Sequence, residues 1–294
     1  MFNSLLRPLT QRLSRQHRPP RWLALSAVSI LTVLAVSFAA YALPVRVNRG
    51  LSLRQLQGEV MVLRPSQSAA ATVGDRLSSV GDGLRTGRRS SAVLEVDTDV
   101  GFLDVSERTE LRIRTLETAA DGGRITHLSV PRGQVRTRLR RFTNRGSQFE
   151  IETPAGITGV RGTEFGVSVQ EDGKTGIATL TGAVATSAVG ETVPVPAGFQ
   201  NLILPGEPPT QPVPLRNDPG LEYERQVIVE NNTRYVRLTG RVDPVNTVFV
   251  DGAPQAVDRQ GEFRVTRLAT ARLRVEVVVT TPLGRQETHE IYLL

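Results

Sequence analysis

The sequence predicts an all-β architecture behind an N-terminal apolar segment. Three observations carry this. Short runs rich in Val and Thr alternate apolar and polar residues and are bounded by Gly, Pro and Asp, the pattern of half-buried strands between tight turns. A glycine-rich stretch at 153–167 ends in the alternation of Phe165, Val167 and Val169, again with period two. The 22 residues 22–43 carry no charge, which sets them apart from everything that follows.

With 294 residues, 39% of them apolar, the chain holds one or two domains with real cores. It has no cysteine, which excludes disulfides, thiolate metal sites and a cysteine nucleophile. His17, His127 and His289 are too scattered to suggest a metal site. Of the formal charge of +7, Arg7, Arg12, Arg15, Arg18 and Arg21 supply five units, with no acid in the first 43 residues. The remainder is close to neutral, so the basic balance does not call for nucleic acid as a partner. Lys174 is the only lysine.

Residues 1–21 form a basic cytoplasmic segment. The run 22–43 is long enough, at about 1.5 Å per residue, to cross a hydrocarbon core about 30 Å thick. Arginines before it keep that side in the cytoplasm and send the rest out. Ala40-Tyr-Ala42 is also an acceptable small-x-small cleavage site. Two readings therefore stand: a transmembrane anchor in the inner membrane with periplasmic domains, or a signal peptide cleaved after Ala42 that leaves a periplasmic or secreted protein. Leu5, Leu6, Leu9 and Leu13, interrupted by Pro8, suit a short amphipathic helix on the inner membrane surface.

From about residue 51 the strand signals begin, with runs at 58–63, 91–96, 101–105, 110–114 and 126–130. Gly74-Asp75 and Gly81-Asp82 are turn chemistry, because Asp bonds the backbone ahead of it and Gly accepts positive φ. A calcium loop would need spaced acids with Gly at the sixth position and Glu at the twelfth. Neither these pairs nor Asp97-Thr-Asp99 supply that order. The glycines at 156, 159, 162 and 166 suit tight turns and close chain crossings where a Cβ would clash. A phosphate loop would need Gly-Lys-Ser/Thr entering a helix, and no lysine follows any of them.

Gly133-Gln-Val-Arg-Thr-Arg-Leu-Arg140 sets Arg136, Arg138 and Arg140 on one strand face and Val135, Thr137 and Leu139 on the other. Arg141 and Arg145 extend the cluster. It suits an acidic protein partner, lipid headgroups or an anionic glycan. A solvated face that blunts edge pairing is the alternative.

The order of motifs carries a resemblance. Gly81-Asp-Gly-Leu-Arg-Thr-Gly87, Ser91-Ala-Val-Leu94, Leu111-Arg-Ile113, Gly133-Gln-Val135, Phe149-Glu-Ile-Glu-Thr-Pro154, Gly162-Thr-Glu-Phe165, Gly182-Ala-Val184 and Pro196-Ala-Gly198 follow one another. Together they resemble the FecR (ferric-citrate regulator) periplasmic domain over about 55–204. The resemblance implies an all-β domain, here 51–204, outside the inner membrane. It makes Gly81, Asp82, Thr86, Gly87, Gly162, Thr163 and Phe165 family-motif residues of structural kind. The family often has Asp-Gly-Ser where Asp99-Val-Gly101 stands, so that turn is expected to differ. The best-known members pass a signal from an outer-membrane transporter to a cytoplasmic sigma factor through a domain preceding the membrane span. Only about twenty Arg-rich residues precede the span here, so that activity is not carried over.

Prolines at 205, 208, 209, 212, 214 and 219 mark 205–220 as a stiff, extended linker. Beyond it, runs at 235–242, 247–252, 255–257, 261–265, 272–279 and 286–293 give about six strands at the spacing of a small β-sandwich over 221–294. This part resembles bacterial Ig-like modules, with Val-Asp-Gly252 as a hairpin turn and Gly261-Glu-Phe263 opening a strand.

No catalytic constellation emerges. His127 and His289 sit within strand patterns, and no serine lies in a Gly-x-Ser-x-Gly elbow. The expectation is an extracytoplasmic binding or sensing protein of the cell envelope that acts without catalysis and takes no cofactor. Its partner would be an envelope protein or cell-surface polymer, docked on the arginine face or by main-chain pairing at a strand edge. An envelope structural or adhesive protein and a transmembrane signalling regulator are the competing readings.

Overall fold

A computed structural model describes residues 49–270 and 272–293. The basic segment and the apolar run 22–43 lie outside the described residues. Every regular element among them is a strand. The first seventeen are β1 (Leu51–Gln57), β2 (Val60–Leu63), β3 (Ser68–Ala70), β4 (Arg76–Leu77), β5 (Gly83–Thr86), β6 (Ser91–Val96), β7 (Gly101–Val105), β8 (Glu110–Thr118), β9 (Arg124–Leu139), β10 (Gln148–Glu152), β11 (Ile157–Val160), β12 (Glu164–Val169), β13 (Thr175–Thr181), β14 (Ala183–Ala188), β15 (Glu191–Pro196), β16 (Phe199–Ile203) and β17 (Val213–Pro214).

These strands pair into two sheets that share one strand. One sheet runs β3-β2-β5-β8-β9-β10-β11-β14-β15. The other runs β4-β1-β6-β7-β9-β12-β13-β16-β17. Only β9 and β10 pair in parallel. The first half of β9 lies in the first sheet and the second half in the other. Gly133 is the corner, with φ of 93°, and a side chain there would press on Thr109, whose Cβ would be 2.7 Å away. The runs expected separately at 126–130 and 133–140 are thus one bent strand, because a glycine absorbs the change of direction without ending the ladder.

The two sheets enclose a common core. Leu94, Leu103, Val135, Phe165 and Ile177 come from one sheet, and Leu84, Leu111, Leu128, Phe149 and Ile151 from the other, all essentially inaccessible to water. Each such side chain stabilises the fold by roughly 1.5–3 kcal/mol relative to exposure. The glycine-rich stretch holds more than turns. Between its bends β11 pairs with both β10 and β14.

The remaining strands are β18 (Glu222–Glu230), β19 (Thr233–Arg241), β20 (Thr247–Val250), β21 (Ala253–Gln255), β22 (Glu262–Leu268), β23 (Arg274–Thr280) and β24 (Gln286–Tyr292). They form a three-stranded sheet, β18-β19-β22, and a four-stranded sheet, β21-β20-β23-β24. Val236, Leu238, Val250, Phe263, Val277 and Ile291 fill a second core. Seven strands appear where the sequence suggested about six. The extra one, β18, is almost wholly exposed and is held by a nine-residue ladder to β19.

The segment 205–220 is partly tied down. β17 pairs with β16, Asn246 Nδ2 donates to Asp218 O at 2.8 Å and Thr281 Oγ1 to Asn217 Oδ1 at 2.7 Å. The described residues accordingly form one compact unit with two cores.

Candidate functional site

The outer face of β9, β12, β13 and β16 is where the second core docks, and polar side chains make the joint. Gln134 Nε2 donates to Thr281 O at 2.7 Å and Pro282 O at 3.2 Å. Ser168 Oγ donates to Val245 O at 2.7 Å. Gln170 bonds Asn246 O at 3.0 Å and accepts from Val257 N at 3.1 Å, while Gln200 Nε2 reaches both oxygens of Asp243 at 2.9 Å. Lys174 Nζ, buried, donates to the carbonyls of Pro244, Val257 and Asp258 at 3.0, 2.5 and 3.0 Å. Burial pushes its amine down to about 8, against the pull of Asp172, Asp258 and Asp243, and it remains charged at neutral pH.

Glycine makes the close approach possible. A Cβ on Gly176 would lie 2.6 Å from Val245 O, and one on Gly166 would overlap Pro282 O. Gly166 belongs to the glycine-rich stretch, and its role is the close chain crossing the sequence suggested.

Beside this joint lies a cleft of about 250 Å³. Its walls come from both cores: Gln57, Ser91 and Ser106 on one side, and Thr247, Phe249 and Gln286 on the other. A second hollow of about 170 Å³ shares Glu107, Arg108, Phe249 and Gln286 with it. Arg108 holds the shared wall in place. Its guanidinium lies 5.4 Å from the Phe249 ring centroid and donates to Gly252 O. Hydroxyl and amide groups around one aromatic ring give the cleft hydrogen-bonding capacity and an apolar contact, the composition of a small-ligand or peptide site.

The arginine strand alternates as expected: Val135, Thr137 and Leu139 are buried and the arginines point outward. The three arginines nevertheless have different fates. Arg136 is half-buried at the joint, bonding Glu164 Oε1 at 2.5 Å and Leu283 O at 3.3 Å. Arg138 is exposed and pairs with Asp104 at 2.9 Å. Arg140 lies beyond the strand end and forms no ion pair among the described residues. Arg138→Ala should therefore change stability by less than about 1 kcal/mol in urea titration, as expected of an exposed pair.

The family-motif residues are structural supports in separate places. Gly81 adopts φ of 89°, and buried Asp82 accepts from Ser78 N and Ser79 N at 3.0 Å and from Arg64. Asp75 likewise accepts from Thr72 N at 2.8 Å, so both carboxylates bond the backbone behind them rather than ahead. Thr86 Oγ1 donates to Ser106 O at 2.6 Å and accepts from Thr109 N at 3.0 Å. Thr86→Val leaves both groups without this partner and should lower the stability by about 2 kcal/mol, measured as a drop in urea midpoint. Gly87 is packed against Glu59. Phe165 is in the core, and Thr163 is buried with its hydroxyl unpartnered. Gly162 lies under the backbone of Arg140 and Arg141.

His127 Nε2 lies 3.3 Å from Glu150 Oε2, and His289 Nε2 lies 3.3 Å from Pro219 O. Among the described residues no group of three His, Cys, Asp or Glu is placed to hold a metal ion. The docked face was not legible as a site, because a Gln, Ser or Lys that bonds backbone carbonyls leaves no pattern in a sequence.

Residues 82–185 match the family model described as FecR protein, within the 55–204 of the sequence resemblance. Two solved structures, each described as a "putative anti-sigma factor" from Parabacteroides distasonis, are similar at 18% identity with TM-scores of 0.37 and 0.36. Each alignment covers 47% of this chain and 65% of the other, so the chain spans less than two thirds of their length. No curated protein matches the chain.

Proposed function

We propose that this chain is a FecR-domain sensing protein of the bacterial cell envelope, a regulator that works by recognition rather than by catalysis. The match of residues 82–185 to the FecR protein family carries the reading. The order of a basic segment and an uncharged 22-residue run supports an extracytoplasmic placement of both cores. The seven strands after 221, in sheets of three and four, fit an Ig-like β-sandwich. This second module is clamped to the first, so a ligand in the cleft between them touches both and can bias their docking.

The test is a transcript profile of cells lacking the gene, complemented with the wild type or with Gln286→Trp. Gln286 faces the cleft and its side chain is exposed, so tryptophan fills the space with the backbone ladder intact. Deletion should change a defined set of transcripts, which the wild type restores and Gln286→Trp does not. An unchanged profile on deletion overturns the regulator reading. Cosedimentation of the protein with isolated cell wall would then favour the structural or adhesive role.

A further inference from the structure

We propose that a separate cavity, at the end of the first sandwich and away from both the cleft and its neighbouring hollow, binds a phosphate or sulfate monoester, with Arg140 and Arg141 as its direct charge partners. The cavity is about 170 Å³ and lies between the end of β9 and the turn joining β8 to β9. Arg124, Arg140 and Arg141 line it, and Asp97 is the one carboxylate among its walls in the described residues. Asp97 is already neutralised, since Arg49 Nη2 lies 3.0 Å from it and Arg124 a further 3.7 Å contact. Two guanidinium groups thus hold the one buried acid, while Arg140 and Arg141 have no ion pair among the described residues.

Two successive residues in a strand point to opposite faces. Arg140 and Arg141 escape this rule because β9 ends at Leu139. Arg140 N donates to Val100 O at 3.0 Å, after which the chain turns away and both residues line the same cavity. Gly162 fixes the turn: its φ is 93°, and a Cβ there would lie 2.6 Å from Arg140 O and 2.7 Å from Arg141 N. The far wall is clasped as well. Asn144 Nδ2 donates to Asp121 O at 2.9 Å and Gly146 N to Asp121 Oδ2 at 2.7 Å. The backbone amides of Gly146 and Gly123 hold the Asp121 carboxyl below the usual range.

Planar guanidinium groups match the oxygens of a tetrahedral oxyanion. Liquid water takes about 30 Å³ per molecule, so the cavity has more room than a bare oxyanion fills. Phe142 and Thr143 on the wall leave that room to an organic substituent. The ligand class is therefore an ester rather than the free ion. This inference is independent of the sensing reading and of the cleft beside the joint.

The experiment is calorimetric titration of the full chain, in non-ionic detergent, with glucose 6-phosphate, glucose 6-sulfate, inorganic phosphate and glucose. The esters should bind at least tenfold more tightly than inorganic phosphate, and glucose should not bind. The double variant Arg140→Glu, Arg141→Glu should lose the ester at least tenfold. Arg138→Glu, the same charge change outside the cavity, should stay within about twofold. Thermal melting checks that each variant is folded, and the milder pair Arg140→Gln, Arg141→Gln replaces the double variant if it is not. No ester binding by the wild type overturns the proposal, as does equal loss in Arg138→Glu. Equal affinity for inorganic phosphate overturns the ester class.

Discussion

Gly166→Ala should undock the second core from the first and leave the first intact. A methyl group on Gly166 overlaps the carbonyl of Pro282 and lies 2.9 Å from Leu283 N. These are backbone atoms, with no flexible side chain to yield. Phe165 and Val167 point to the opposite face, into the core, so the methyl group disturbs the joint and not the sandwich. The bonds from Gln134 to Thr281 O and Pro282 O and from Arg136 to Leu283 O break together. Overpacking of this kind costs about 3 kcal/mol, and more where backbone must move. Two thermal transitions should replace one, and a protease should open the chain within 205–220. Gly159→Ala is the control, because its added methyl group meets only Glu150, at 3.8 Å, and should leave the joint and the protease resistance unchanged. A single transition at the wild-type temperature in Gly166→Ala would show that the two cores do not depend on this contact.

How much of this was legible in the sequence depends on whether a residue's neighbours repeat. The strands 91–96 and 101–105 were read at the bounds they have, because alternating apolar residues there meet a core on one side only. The inward face of Val135, Thr137 and Leu139 followed in the same way. β18 did not, because all but one of its residues are exposed and nothing in its own pattern marks a buried face. β11 was hidden by the glycines around it. The prolines of 205–220 describe local stiffness, but the bonds of Asn217 and Asp218 to the second core are tertiary and follow from no local preference. The arginine strand shows both sides of this. Its alternation was readable, while the split into a joint residue, a surface pair and an unpaired Arg140 depends on Glu164 and Asp104, which come from other strands.

Lys174→Met should destabilise the chain by about 3 kcal/mol at pH 7, and by more as the pH rises. The only lysine of the sequence holds together the carbonyls of Pro244, Val257 and Asp258. The first two accept no other hydrogen bond among the described residues, and stripping a buried carbonyl costs about 1–3 kcal/mol. The pH dependence follows from linkage. The amine titrates at about 8 in the folded chain against 10.5 for an unperturbed lysine. Below pH 8 both states carry the proton, and the charge contributes no slope. Between about pH 8 and 10.5 the unfolded chain keeps the proton that the folded chain has lost, so folded stability rises with pH, by roughly 3 kcal/mol in full. Physically, a neutral amine still donates two of its bonds and no longer carries the penalty of a buried charge. Methionine removes the titration, so the gap between wild type and variant in urea midpoint should widen from pH 7.5 to pH 10. Every other ionisable side chain is common to both proteins and cancels in the difference. A gap that stays constant or narrows over that interval would mean that the three carbonyls hold the amine charged as firmly as water does, and the joint would then be a fixed clamp with no response to pH.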